Sequence, residues 1–132
     1  MEPAYTYRAR VERVVDGDTL DLFVDLGFRI WAKLRVRLHS VDTPETYGVK
    51  KDSDEYARGK AATEFVTEWL GLKPDPITGL PPKSGEVTIT SHDGKRLGQG
   101  KYGRWLVVVH NEKGESLNRA LLESGHAEAV EY

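Results

Sequence analysis

Residues 14–39 read VVDGDTLDLFVDLGFRIWAKLRVRLH, and the fold turns on this stretch. Leu20, Leu22 and Val24 alternate with Thr19, Asp21, Phe23 and Asp25. Successive side chains of a strand point to opposite faces, so this is a strand with one apolar side. Asp16-Gly17-Asp18 precedes it, and the β-favouring run Tyr5 to Val15 precedes that. Period two around Asp-Gly marks a hairpin. A second turn at Leu26-Gly27 leads into Arg29 to His39, where Ile30, Ala32, Leu34, Val36 and Leu38 share one face and Lys33, Arg35, Arg37 and His39 the other. A three-stranded antiparallel meander is predicted.

Pro44 ends the third strand, because it lacks an N–H and holds Thr43 extended. From Asp54 to Leu70 the apolar residues recur near helical spacing, with Gly71 as a stop. Residues 73–85 carry four prolines and read as a connector. Glu86 to Thr90 and Arg104 to His110 read as strands flanking a Gly/Lys-rich excursion. Within that excursion His92-Asp93-Gly94 reads as a turn. Ser116 can cap a helix through Ser124 that stops at Gly125, and Ala127 to Tyr132 is a short extended piece. Five strands with a helix after the third and another after the fifth predict a mainly β, α+β fold: an OB-type Greek-key barrel with two helices, one domain over residues 1–132.

Composition narrows the chemistry. The chain has 132 residues, 39% hydrophobic and 30% charged, which fits one folded domain. It has no cysteine, so thiolate metal sites, disulfides and thiol nucleophiles are excluded. The first ten residues contain no apolar leader, and the longest aliphatic run, Leu106 to Val109, is far too short to span a bilayer. The chain therefore reads as cytoplasmic, although a trimmed secreted form would look the same, and no membrane partner is expected. With a net charge of −2, nucleic acid would have to be met by local positive charge rather than bulk charge.

Three polar clusters carry possible chemistry. Asp18 has the parity of Leu20 and Leu22, which puts its carboxylate on the inward row at the barrel mouth, where it needs a partner or a cation. A plain hairpin turn would account for Asp-Gly alone. Asp42-Thr43-Pro44-Glu45 places two acids on either side of a rigid turn; a strand stop accounts for Pro44 but not for the acids. Asp42 can join Asp18 on a hard cation, the Thr43 carbonyl can be a third oxygen ligand, and Glu45 can take a proton from a water beside it. Lys101-Tyr102-Gly103-Arg104 alone is a solvated basic loop, but arginine's planar fork can hold a phosphate through two hydrogen bonds. Arg35 shares the outward face of Arg37 without a motif partner and is expected to be a solvated charge. The four histidines lack metal-ligand spacing, and Asp16-x-Asp18 fails the calcium helix–loop–helix pattern beyond its start. Trp31, Trp69 and Trp105 read as core or rim residues rather than base-stacking platforms.

Together, Asp16-Gly17-Asp18-Thr19, Arg37, Asp42-Thr43-Pro44-Glu45 and Lys101-Tyr102-Gly103-Arg104 resemble the staphylococcal nuclease family over nearly the whole chain, with Asn118 and Gly125 matching its late helix. The resemblance implies calcium-dependent cleavage of DNA and RNA to 5′-hydroxyl and 3′-phosphate ends by a monomeric enzyme. It assigns Asp18, Asp42 and Thr43 to calcium, Arg37 and Arg104 to phosphate, Glu45 to the general base, and Lys101 and Tyr102 to a terminal phosphate. Gly100 stands where the family commonly has an acid, the chain ends before the family's later helix, and Tyr132 is one position out of register. The rival reading is a non-catalytic barrel that binds nucleic acid or protein; the full set of acids and arginines argues for the enzyme.

Overall fold

A computed structural model describes residues 5–46, 48–72, 77–78, 85–96 and 105–130. The element order is β1 (Tyr5–Asp16), β2 (Thr19–Asp25), β3 (Trp31–Leu38), β4 (Val41–Asp42), α1 (Asp54–Trp69), β5 (Gly85–Arg96), β6 (Trp105–His110), α2 (Leu117–Glu123) and β7 (Glu128–Ala129). Five strands close a barrel in the order β1-β2-β3-β6-β5, and β4 pairs with β7 in a separate two-stranded sheet. All barrel pairings are antiparallel except β3 with β6.

The meander forms as the alternation requires. Leu20, Leu22, Val24, Val36 and Leu38 are buried in one core with Val87, Ile89, Val107 and Val109. Fully burying each such aliphatic side chain contributes roughly 1.5–3 kcal/mol. Both helices begin at the serine before them: Ser53 Oγ accepts the Tyr56 N–H at 3.1 Å and Ser116 Oγ accepts the Arg119 N–H at 3.2 Å. Asp54 and Glu55 in the first turn of α1 favour its positive dipole end. Gly71 and Gly125, just past the helix ends, adopt φ of 69° and 80°, which costs a side-chain-bearing residue more than glycine.

His92-Asp93-Gly94 is a correction to the sequence reading. These residues belong to β5, which runs on to Arg96, and do not form a separate turn. The ladder to β6 jumps from Ser91↔Val107 to Arg96↔Trp105, so residues 92–95 stand against the single residue 106. Among the described residues no helix is long and apolar enough to cross a membrane.

Candidate active site

The β1–β2 turn delivers Asp18 to the end of the barrel, where the residue is 3% exposed. Arg37 Nη2 lies 3.2 Å from Asp18 Oδ2 and 2.9 Å from Asp42 Oδ1, so one guanidinium ties both carboxylates. The Arg37 side chain is 11% exposed, far more enclosed than a solvated strand face implies. Asp18 Oδ2 also accepts the Thr43 N–H at 3.1 Å, and Asp18 Oδ1 accepts the Thr19 hydroxyl at 3.1 Å. Asp18, Arg37, Asp42 and Thr43, predicted as one site, therefore meet.

Burial is the main reason that the Asp18 carboxyl is pushed up to about 6; hydrogen bonding and repulsion from Asp16 add to it, while Arg37 and the Thr43 N–H oppose it. Glu45 sits exposed beside this group, and its carboxyl is raised above the usual carboxylate range. Partial desolvation is the largest cause, followed by repulsion from Asp18; Arg37 opposes these, and Asp42 and Glu55 add to them. Glu45 shares an open cleft of about 410 Å³ with Asp42, Thr43, Glu55 and Arg58.

Two glycines let the fold bring the acidic segment in. A Cβ on Gly17 would stand 2.8 Å from Thr43 Cγ2 and from Ala62 Cβ. One on Gly59 of α1 would stand 2.6 Å from the Pro44 carbonyl oxygen and 2.9 Å from that of Glu45. Asn118 braces the site from below: Oδ1 accepts the Val109 N–H at 3.1 Å, and Nδ2 donates to the carbonyls of His39 at 2.9 Å and Val107 at 3.1 Å. Sequence reasoning did not assign these jobs to Gly17, Gly59 or Asn118. A glycine inside the helical pattern of residues 54–70 was the one available signal for Gly59.

Arg35 departs from expectation. It is not simply solvated: its Nε and Nη2 donate to the two oxygens of Asp21 at 2.7 and 3.1 Å, because Asp21 is its cross-strand partner. Lys101, Tyr102 and Arg104 lie outside the described residues, as do Gly100 and Tyr132. Trp105, the next residue after Arg104, pairs with Val36, beside Arg37 in the chain.

Among the described residues there is no cluster of three or more His, Asp or Glu able to hold a metal ion. What the site offers is sparser: two carboxylates on one guanidinium and a buried Thr43 hydroxyl without a hydrogen-bond partner. Oxygen-only donors of this kind fit a hard cation such as calcium, not a thiophilic metal.

The family model described as "Staphylococcal nuclease homologue" matches residues 35–132, a span that holds Arg37, Asp42, Thr43 and Glu45. The chain is similar to "Endonuclease YhcR" of Bacillus subtilis, 32% identical over 92% of this chain and 9% of that protein. It is also similar to "Succinoglycan biosynthesis protein ExoI" of Rhizobium meliloti, 29% identical over 86% of this chain and 48% of that protein. The chain thus spans less than half the length of either relative. The family match covers about three quarters of the sequence, and the chain belongs to the staphylococcal nuclease homologue family.

Proposed function

We propose that the chain is a calcium-dependent nuclease that hydrolyses phosphodiester bonds of DNA and RNA, leaving 5′-hydroxyl and 3′-phosphate ends. The observation that carries this reading is the shared guanidinium: Arg37 contacts Asp18 at 3.2 Å and Asp42 at 2.9 Å, beside Glu45 in an open cleft. Asp18, Asp42 and the Thr43 carbonyl would hold the cation. When bound, a divalent cation supplies positive charge to a phosphate oxygen and acidifies a nearby water.

The chain's own residues do the rest. Arg37 donates to a phosphate oxygen and stabilises the charge that gathers there as the bond breaks. Loss of one such donor typically costs ~2.7–4 kcal/mol, or ~100- to 1000-fold in rate. Glu45, made more basic by partial desolvation and its acidic neighbours, takes the proton of the attacking water. Arg104 holds the phosphate and stabilises the leaving 5′-oxygen, and Lys101 and Tyr102 bind a terminal phosphate.

Two variants separate the roles. Glu45→Gln keeps the shape but cannot accept a proton, so calcium and nucleotide binding are expected to persist while single-turnover cleavage slows ~100-fold or more. Asp42→Asn is expected to weaken calcium binding first. Calorimetric calcium titration with nucleotide present reads the binding. Equal loss of calcium binding in both variants would make Glu45 a metal-shell residue; normal turnover of Glu45→Gln would remove it from the mechanism.

A further inference from the structure

The tip of the β2–β3 hairpin stands at the end of the barrel away from Asp18, about 25 Å along β2 at ~3.3 Å per residue. Its turn runs Gly27-Phe28-Arg29-Ile30 and is closed by the Ile30 N–H, which donates to the Gly27 carbonyl at 2.9 Å. Phe28 and Arg29 have φ of 55° and 63°. Positive φ at both central positions makes a type I′ turn, which favours Asn-Gly and disfavours a bulky side chain. Phe28 is nonetheless the most exposed large hydrophobic residue among those described, at 97%. Two costs meet at this residue: a strained backbone and an apolar ring held in water. A backbone outlier of this kind points to a task beyond the fold of the single chain.

A hole lies beside this knob. The same end of the barrel opens into an apolar cavity of about 320 Å³ whose walls include Tyr5, Tyr7, Leu26, Leu34, Ile89 and Trp105. Leu26 is a wall of the cavity and stands two residues before Phe28. Cavities of ~300 Å³ and above hold whole small ligands, so a benzyl group fits. Phe28 does not fill its own cavity, because its ring is in solvent. A knob and a hole side by side on one face are self-complementary: one two-fold axis between them seats each Phe28 in the cavity of the other copy. Tyr5, Leu26, Ile30 and Trp31 are also exposed around the tip. Aromatic side chains bury roughly 150–250 Å² each when covered, so this patch supplies much of the about 800 Å² per partner of a standard interface. The cleft that abuts the hairpin sets Arg8 and Arg10 against Asp25, Glu86 and Glu112. A rim of mixed sign can match its own two-fold copy, opposite charge to opposite charge, whereas it offers a polyanion or an anionic membrane no net attraction.

We infer that the chain self-associates as a two-fold dimer through this end of the barrel, with Phe28 of each copy inserted into the apolar cavity of the other. This departs from the monomer that the family resemblance implies, and it does not depend on the nuclease reading. The group formed by Asp18, Arg37 and Asp42 lies at the other end of β2 and stays uncovered in both copies.

Sedimentation velocity over protein concentrations from about 1 μM to about 1 mM tests it, and the wild type is expected to pass from monomer to dimer. Phe28→Asn/Arg29→Gly removes the knob and installs the pair that the turn favours. Ser91→Phe fills the cavity from its wall. Each variant breaks both contacts of its own homodimer and is expected to weaken it ~30-fold or more, as loss of a buried aromatic anchor does. An equimolar mixture of the two keeps one contact, Phe28 of the Ser91→Phe copy in the open cavity of the other, so it should associate more tightly than either variant alone. In dilute solution the urea midpoint of Phe28→Asn/Arg29→Gly should equal or exceed that of the wild type, because the turn is relieved of strain. Should Ser91→Phe not fold, the Phe28 variant, altered only at the exposed tip, decides alone. A wild type that stays monomeric throughout, or a dimer that Phe28→Asn/Arg29→Gly leaves intact, overturns the proposal. A mixture no tighter than the separate variants overturns the insertion of Phe28 into the cavity. A lowered urea midpoint would give Phe28 to the fold of the single chain. Monomeric wild type that binds phosphatidylcholine vesicles, with binding lost in the Phe28 variant, would give it to a lipid surface instead of a second copy.

Discussion

Asp18 Oδ2 accepts the backbone N–H of Thr43 at 3.1 Å, joining the first hairpin to the acidic segment 25 residues further along the chain. This oxygen belongs to a carboxyl raised to about 6, chiefly by burial. A carboxyl raised above its unfolded value near 3.8 favours the folded state most when protonated. Its contribution is full below that value and is lost as the pH rises through about 6. In chelator, wild-type stability relative to Asp18→Asn is therefore expected to fall between about pH 4 and 6 and to level off above 7. Urea melts of both proteins across this range check it; a difference that rises with pH would show that attraction to Arg37, not burial, dominates.

Gly59 lies so close under the segment carrying Glu45 that any Cβ there meets backbone oxygens. Alanine improves helix propensity by about 1 kcal/mol, but overpacking a tight contact costs typically ~1–3 kcal/mol. Gly59→Ala is expected to lower stability despite the better helix former, and to reduce kcat about tenfold by displacing Glu45. Urea unfolding and steady-state kinetics measure the two effects. Raised stability with unaltered kcat would mean that the segment yields freely and that the close packing does not position Glu45.

Arg37→Ala is expected to cost ~100- to 1000-fold in turnover, as for other positioned charge donors. Arg119→Ala removes an exposed arginine of α2 that lies 3.8 Å from Glu123, a surface pair worth about 0–1 kcal/mol. It is expected to leave turnover within twofold. Kinetics at matched circular dichroism distinguish the two, and equal losses would point to general positive charge instead of one placed guanidinium.

The meander, the positions of both helices and the Ser116 cap were legible in the sequence because each rests on local pattern: alternation in residues 19–38, helical spacing from residue 54, and Ser before helical spacing at residue 116; the Ser53 cap was not, because Ser53 ends a polar stretch that reads as loop. The meeting of Asp18 with Asp42 through Arg37 was legible in part: parity set Asp18 inward, but β3 ends at Leu38 and not at Pro44, and Asp42 lies in the separate strand β4 after a turn at Ser40. Contacts set by three-dimensional approach were not. The roles of Gly17 and Gly59 depend on how closely another segment packs, and that of Asn118 on three backbone groups brought together from β3, β6 and their connections. Arg35 looked solvated because its partner, Asp21, is fixed by strand register, which sequence spacing alone does not give. Trp31, read as core or rim, is 44% exposed and stacks on Phe23 across the β2–β3 hairpin, a cross-strand contact that spacing does not give.

We propose that Asp18, Arg37, Asp42 and Glu45 form a metal-dependent phosphodiesterase centre. Purified protein incubated with end-labelled single-stranded DNA in calcium, and in excess chelator, tests it most directly, with the product ends identified chemically. Cleavage to 5′-hydroxyl and 3′-phosphate ends in calcium, abolished by chelator and restored when calcium is returned, is the expected result. Equal cleavage in chelator would contradict the metal mechanism, and intact DNA in calcium would contradict the nuclease itself.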